Sequence, residues 1–424
     1  MRINSNEIVE PPFKYRNPKG LSDILPDSQR YWQLSISILD HLSQSFGYHR
    51  VITPPIESKS LYDLAFSKDW QNQLIDAQMI SNDEHYVLRA HPRVSLMRSY
   101  KENGFLHWPP PVHLAYQVNT MRKLDDAFVE NYYYCFDVIG AKDATTNATL
   151  LMLLQKLACD LKLKKPVIML HSNGCAKCRP NFDLLFKSQV HPHISDLCPR
   201  CKENPTVQNI SNCELDSKAE WLVKMPQLLD NLCLSCHNQL TGVLETCDIL
   251  GINYDVNPNL YTADEEAEQT IFGLKVGDEA VPSVIGFHYD NFASQLAEQP
   301  LTAIGLSFNL QQFSQFLENA HASLPDTEGI QVFIAQLGEQ AKSRSIPLLQ
   351  QLYNAGFSAT TATESDSISQ QLQIAERLRA RITLIIGQKE AINGHIIMRD
   401  MVSGLQDNIY IDELLPVLQE RLSA

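Results

Sequence analysis

Six of the chain's 10 cysteines fall into three Cys-x-x-Cys pairs: Cys175 with Cys178, Cys198 with Cys201, and Cys233 with Cys236. Two thiolates at this spacing can hold one cation, and two such pairs complete a tetrahedral zinc site. The first and second pairs are spaced as in zinc ribbons. Six thiols exceed four ligands, so the spacing leaves open which pairs meet, and Cys213 or His237 can also join. Buried thiols without a metal are the alternative. A redox pair is disfavoured, because no thioredoxin-like βαβ context precedes any of the three. A closed Cys₄ site has no open coordination position, so such a zinc would be structural.

A second candidate group lies in a hairpin. Val112–Met121 and Tyr132–Ile139 are apolar-aromatic runs around a polar loop, the pattern of two antiparallel strands. Arg122 sits at the end of the first arm and Asp137 inside the second. A guanidinium grips a phosphate or carboxylate with two parallel bonds, so Arg122 can face such a ligand. The alternative is an arginine that only caps a strand end.

The elements that position these groups follow from periodicity. Ser28–Ser45 carries Trp32, Leu39 and Leu42 at helical spacing and stops at Gly47. Ser95–Tyr100 and Thr145–Leu161 are further helices, and Val167–His171 and Ala303–Phe308 are strands. Beyond a linker near Ala322–Gly329, strands alternate with helices to the end of the chain, which implies an α/β domain rich in parallel pairing. The expected domains are 1–171 and 251–321 as two parts of one core, 172–250 as a Cys-rich insert, and 329–424.

With 424 residues, 44% hydrophobic and 20% charged, the chain reads as an ordinary globular protein. No signal peptide or membrane-spanning run is expected, which implies a cytoplasmic protein. A net charge of −14 argues mildly against a broad nucleic-acid surface, although a local basic groove for tRNA is compatible with it.

Several segments resemble one family. Pro18-Lys19-Gly20-Leu21-Ser22-Asp23-Ile24-Leu25-Pro26, Phe46-Gly47-Tyr48 with Thr53-Pro54-Pro55-Ile56-Glu57, Leu88-Arg89, Met121-Arg122 and Phe136-Asp137-Val138-Ile139-Gly140 resemble histidyl-tRNA synthetases in order and spacing. The resemblance extends to Leu384-Ile385-Ile386-Gly387 and Met398–Gln406, near the end of the chain. It implies an α+β fold: a class II antiparallel sheet with flanking helices, a Cys-rich helical insert, and a C-terminal anticodon-binding-like α/β domain. It also implies a homodimer built around Pro54. Some members carry similar cysteine pairs in their insertion domain.

The resemblance fails where chemistry is expected. It implies that Arg122 holds the α-phosphate and the substrate carboxylate, and that Asp137 and Tyr133 occupy substrate-binding positions. The family's Pro-Glu-Gly-Thr, whose Glu and Thr hold the histidine ammonium, is here Ala90-His91-Pro92-Arg93. Leu124 replaces an adenine-side Glu, and the loop that follows is acidic. Thr262 stands for a catalytic arginine, Glu266 and Ala267 for two tyrosines, and Gln312 for the arginine over the ATP phosphates. Each 1.4 kcal/mol of lost transition-state stabilisation costs about tenfold in rate. Losing several such groups points away from histidine activation and makes ATP·Mg binding doubtful.

Three functions are therefore weighed. The first is a paralogue without activity that binds a regulatory partner or small-molecule ligand. The second is an ATP-dependent ligase for another substrate, with His91 and Arg93 serving an acidic one. The third is a tRNA-binding module.

Overall fold

In the computed structural model, the described residues are 15–26, 28–77, 84–141, 145–163, 165–211, 213, 215–258, 260, 265–276, 284–320, 322, 329–362 and 367–423. The chain divides into two compact units, 1–323 and 324–424.

The first unit is organised on an eight-stranded sheet. In chain order its strands are β1 (His49–Arg50), β2 (Val112–Leu124), β3 (Ala127–Ile139), β4 (Pro166–Ser172), β5 (Tyr254–Val256), β6 (Glu268–Val276), β7 (Val284–His288) and β8 (Ala303–Asn309). They lie in the order β1-β2-β3-β8-β7-β6-β4-β5. Every pairing is antiparallel except the two at the edges, β1 with β2 and β4 with β5. Its longer helices are α1 (Gln29–Ser45), α2 (Pro92–Glu102), α3 (Thr145–Asp160), α4 (Arg179–Val190), α5 (Leu234–Leu250), α6 (Asp290–Ala297) and α7 (Leu310–Asn319).

Side chains alternate across a strand, so each strand feeds two cores. Tyr134, Phe136 and Val138 of β3 face one core, with Leu39 and Leu42 of α1, Leu150 and Leu154 of α3, and Phe313 of α7. Cys135 and Ile139 face the other, with Tyr116 of β2, Val94 and Met97 of α2, and Phe292 of α6. Asp137 shares the phase of Cys135 and Ile139, which brings it to the second face.

The hairpin differs from the sequence expectation. The arms run three and five residues further, and Leu124 pairs with Ala127, which leaves a two-residue turn at Asp125-Asp126. Polar composition suggested a longer loop, but Phe128 and Val129 continue the strand pattern. The N-terminal segment straps this hairpin: the Phe128 amide donates to the Lys19 carbonyl at 2.8 Å, and Lys19 pairs with Asp126.

The insert follows β4. It consists of α4, several short helical turns and the start of α5, around a small core of Phe182, Phe186, Val190, Leu197, Ile210 and Leu228.

The second unit is a five-stranded sheet. Its strands are β9 (Val332–Gln336), β10 (Ala359–Thr361), β11 (Ile382–Ile386), β12 (His395–Asp400) and β13 (Gln406–Tyr410). They lie in the order β10-β9-β11-β12-β13, the first three parallel and the last two antiparallel. The α/β expectation holds, but the pairing is only half parallel, because β12 and β13 return as an antiparallel hairpin on β11. Arg377, Arg379 and Arg381 are exposed, and Arg381 donates to the Arg421 and Leu422 carbonyls at 3.3 Å. Glu390 accepts from the Gly387 amide at 3.0 Å and so caps its own helix.

Candidate functional site

Helix α2 starts where a proline permits it. Pro92 has no amide to leave unpaired in the first turn, and His91 is the N-cap, its Nδ1 accepting from the Arg93 amide at 3.3 Å. An accepting Nδ1 puts the ring proton on Nε2, which donates to Glu266 Oε1 at 2.7 Å. The first turn of α2 thereby aims both His91 and Arg93 at the second face of the sheet.

Arg93 is 2% exposed. Its Nε donates to Asp137 Oδ1 at 3.2 Å, its Nη2 to Ser307 Oγ at 3.1 Å, and its Nη1 reaches Glu266 Oε1 at 3.5 Å. The guanidinium lies over the rings of Phe287 and Tyr289, 4.4 and 4.8 Å from their centroids. Asp137 is fully buried and also accepts from Tyr116 Oη and Tyr289 Oη, each at 2.8 Å. The floor of this face is thus a buried network, with two carboxylates matched against a guanidinium, an imidazole and two phenols; among the described residues Glu266 Oε2 alone of these carboxylate oxygens has no partner.

The ionisation states follow from the packing. Burial by itself would push Glu266 up, but the interaction with His91 first, and then with Arg93, outweighs it and holds the carboxyl at about 2. Burial would lower Arg93, but Asp137, the two tyrosines and Glu266 keep it firmly protonated. Burial first, and then the Asp137 charge, push Tyr116 and Tyr289 well above the usual phenol range, so both stay hydrogen-bond donors.

Gly305 of β8 makes the network possible. A Cβ there would overlap Asp137 Oδ1 and lie 2.8 Å from Arg93 Nη2. Sequence reasoning missed Gly305, Ser307, Tyr116 and Tyr289. The only signal for them was their strand phase, which becomes informative once the register is known.

The sequence pointed to Arg122 and Asp137 as one site, and the structure separates them. Asp137 pairs with Leu114 in the register, whereas Arg122 pairs with Val129, roughly 26 Å further along β2 at about 3.3 Å per residue. The two-residue turn is the cause, since it extends the ladder out to Arg122. The Arg122 guanidinium meets Gln73 Oε1 at 3.4 Å and lies 5.8 Å from the Trp70 ring centroid. Tyr133 is on the Asp137 face, packed against the second core and opposite Val118 and Asn309. Gln312 is exposed on α7, its amide capped by Asn309 Oδ1 at 3.2 Å. Thr262 lies outside the described residues. Arg89 is a structural tie, donating to the Thr53, Pro54 and Asn119 carbonyls at 2.8–3.0 Å and so joining the extended Pro54 segment to the hairpin.

The cysteines sort into two groups. Cys175, Cys178, Cys233 and Cys236 have all four Sγ atoms within 4.8 Å of one another. Three of the separations are 3.7–3.8 Å: Cys175 to Cys178, Cys175 to Cys233, and Cys178 to Cys236. A tetrahedron with Zn–S bonds of about 2.3 Å has edges of about 3.8 Å, so the donor set fits a zinc ion. The first pair therefore meets the third, not the ribbon-spaced second. The reason is topological: β4 delivers Cys175 to the sheet end to which the chain returns to start α5 at Cys233. Gly174, at φ +64°, leaves no room for a side chain, because a Cβ would stand 2.7 Å from Cys178 Sγ. Burial raises the Cys175 thiol, but donation from the backbone amides around it brings it down to about 7, favouring a metal-binding thiolate. Cys198 and Cys201 sit apart from this group, beside Cys213. His237 belongs to neither group.

An antiparallel sheet carrying a long central hairpin, with helices on both faces and a separate C-terminal α/β unit, defines a class II aminoacyl-tRNA synthetase fold. Residues 331–421 match the family described as "Anticodon binding domain". The chain is 24% identical to a histidine–tRNA ligase of Acetivibrio thermocellus over 415 residues, covering 95% of this chain and 99% of that protein. It is 26% identical to the histidine–tRNA ligase of Pelotomaculum thermopropionicum over 420 residues, 96% of this chain and 98% of that one. The apo histidyl-tRNA synthetase of S. aureus superposes with a TM-score of 0.74 at 23% identity, over 96% of this chain and all of that one. A Bacillus halodurans structure, described as an ATP phosphoribosyltransferase regulatory subunit/histidyl-tRNA synthetase, superposes with a TM-score of 0.63 at 15% identity, over 89% and 98%. Over nearly its whole length the chain is similar to histidyl-tRNA synthetases, and it has their fold.

Proposed function

We propose that this chain is a histidyl-tRNA-synthetase-like paralogue that does not activate histidine and acts as a regulatory protein through a partner or ligand. One observation carries the reading. Arg93, at a position where the resemblance expects a residue that holds the histidine ammonium, is instead buried and bonded to Asp137, Ser307 and Glu266. The positions that should supply a carboxylate and a hydroxyl to that ammonium carry an imidazole and a guanidinium instead. A substrate cation would have to displace a buried guanidinium from two carboxylates, which costs several kcal/mol. The acidic two-residue turn at Asp125-Asp126 and the uncharged Gln312 also weaken any hold on ATP·Mg phosphates. The Bacillus halodurans structure lends this reading support, since its description names a regulatory subunit in the same fold.

In this reading the core is 1–171 with 251–321, the insert is 172–250, and the C-terminal domain is 329–424. Zinc at Cys175, Cys178, Cys233 and Cys236 is structural. The protein is cytoplasmic and dimerises with a second copy through the Pro54 segment; among the described residues no helix is long and apolar enough to cross a membrane.

ATP–pyrophosphate exchange with histidine, together with calorimetric titration of ATP·Mg, tests the proposal. No exchange and no ATP heat are expected. Exchange with histidine overturns it, and exchange with another amino acid selects a divergent ligase instead. A second reading, tRNA binding without chemistry, is favoured by the match over 331–421. A gel shift across a salt series tests it, since phosphate contacts weaken steeply with salt.

A further inference from the structure

We infer that the tip of the insert builds a second metal centre, separate from the Cys₄ group, in which Cys198, Cys201, Cys213 and Asp216 hold a zinc-class divalent cation. One donor atom from each of the four lies within 4.8 Å of all the others. Cys198 Sγ and Cys213 Sγ are 3.7 Å apart, the edge length of a zinc–thiolate tetrahedron. The sequence carries the same logic with a carboxylate in place of one thiol. Cys213-Glu-Leu-Asp216 has the two-residue spacing of the other pairs, with a carboxylate in the fourth ligand position.

Local structure brings the two half-sites together. Cys198 precedes the short helix Pro199–Glu203, which turns Cys201 back beside it. Cys213 follows the turn Val207–Ser211, and Asp216 opens the next turn, Asp216–Lys218. The Cys198 amide lies 3.2 Å from both Asp216 carboxylate oxygens, which orients the carboxylate toward the thiols.

Charge makes the argument stronger than proximity alone. Cys201 and Asp216 are buried, and among the described residues the groups set against the Asp216 carboxylate are the three thiols and that amide. A carboxylate buried among sulfurs is expensive without a cation, and a divalent ion supplies the missing charge. Three thiolates select a soft or borderline metal, and the carboxylate oxygen suits zinc. The surrounding core is small and its helices short, so the tip is the kind of module that a metal staples.

Metal content of the full chain by plasma mass spectrometry tests the inference. Two zinc ions per chain are expected, falling to one in Cys213→Ser and to one in Cys175→Ser. One zinc in the unaltered chain overturns the inference, and so does a Cys213→Ser chain that keeps two. Because a variant can fail to fold, the metal-stripped unaltered chain is also titrated with cobalt(II). Its thiolate-to-cobalt absorbance should saturate at two equivalents; saturation at one overturns the inference. Asp216→Cys identifies the fourth ligand. It should raise the saturated charge-transfer absorbance by about one seventh, as seven cobalt–thiolate bonds become eight, whereas an unchanged spectrum removes Asp216 from the ligand set.

Discussion

Replacing Arg93 by methionine removes the charge from the buried network while keeping most of the side-chain volume. Three bonds are lost, to Asp137 at 3.2 Å, Ser307 at 3.1 Å and Glu266 at 3.5 Å, along with the stacking on Phe287 and Tyr289. Tyr116 and Tyr289 continue to donate to Asp137, and His91 to Glu266, so neither carboxylate is wholly abandoned. Removing one partner of a buried ion pair costs about 3–5 kcal/mol, and the remaining donors place Arg93→Met toward the lower end, at about 3 kcal/mol. A cycle with Asp137→Asn should show a coupling of about 2 kcal/mol, because the two residues share one network. Urea unfolding followed by tryptophan fluorescence is the assay. All 4 tryptophans lie in the first unit, at positions 32, 70, 108 and 221, so the signal does not mix the two units. Trp70 stacks on Phe66 at 3.9 Å and lies 6.1 Å from the His91 ring, close enough to report on the network. A cost below about 1 kcal/mol, or no coupling, would refute the idea that Arg93 fills and seals this pocket.

Other outcomes follow from the same geometry. Gly305→Ala should destabilise the first unit by about 3 kcal/mol or more through overlap with Asp137, read by the same unfolding curves. Stability should fall in acid in two steps, measured as urea midpoints across pH. Burial pushes His171 down to about 4, so the unfolded chain takes up a proton first, and stability is lost as pH drops from about 6.5 toward 4. Glu266, held at about 2, contributes fully above about 4.5 and loses its contribution as pH falls from there toward 2; each step is on the order of 3 kcal/mol. A chelator strong enough to strip zinc should expose the insert to protease between residues 172 and 233 while the second unit stays resistant, as gel mapping of the fragments would show.

The scaffold was legible in the sequence because periodicity and burial agree there. The apolar stripe of α1 and the two hairpin arms appear close to where Trp32, Leu39 and the Tyr132–Ile139 run placed them. The substitutions at His91, Arg93 and Glu266 were also visible, but their meaning was not. Read singly, each is a lost contact; only the fold brings Glu266, distant in sequence, to within 2.7 Å of His91 and reveals an exchange of partners. For Arg122 the sequence showed the residue type, whereas its place on the ladder depends on the length of the turn. The metal ligands were half legible. Cysteine pairs announce themselves, whereas the partition between two groups depends on where β4 and α5 meet.

The exchange at the pocket floor also bears on how such a chain can change. Placing a carboxylate at position 91 alone would press it against Glu266, now 2.7 Å from the imidazole, with only Arg93, which Asp137 already shares, to offset the two charges. Restoring a neutral residue at 93 alone would strand Asp137 and Glu266. Each single step back toward the family's pattern therefore runs uphill, and only concerted replacement of three positions avoids the climb. The salt-bridged floor thus ties positions 91, 93 and 266 into one unit, in which a change at any one of them is felt by the other two.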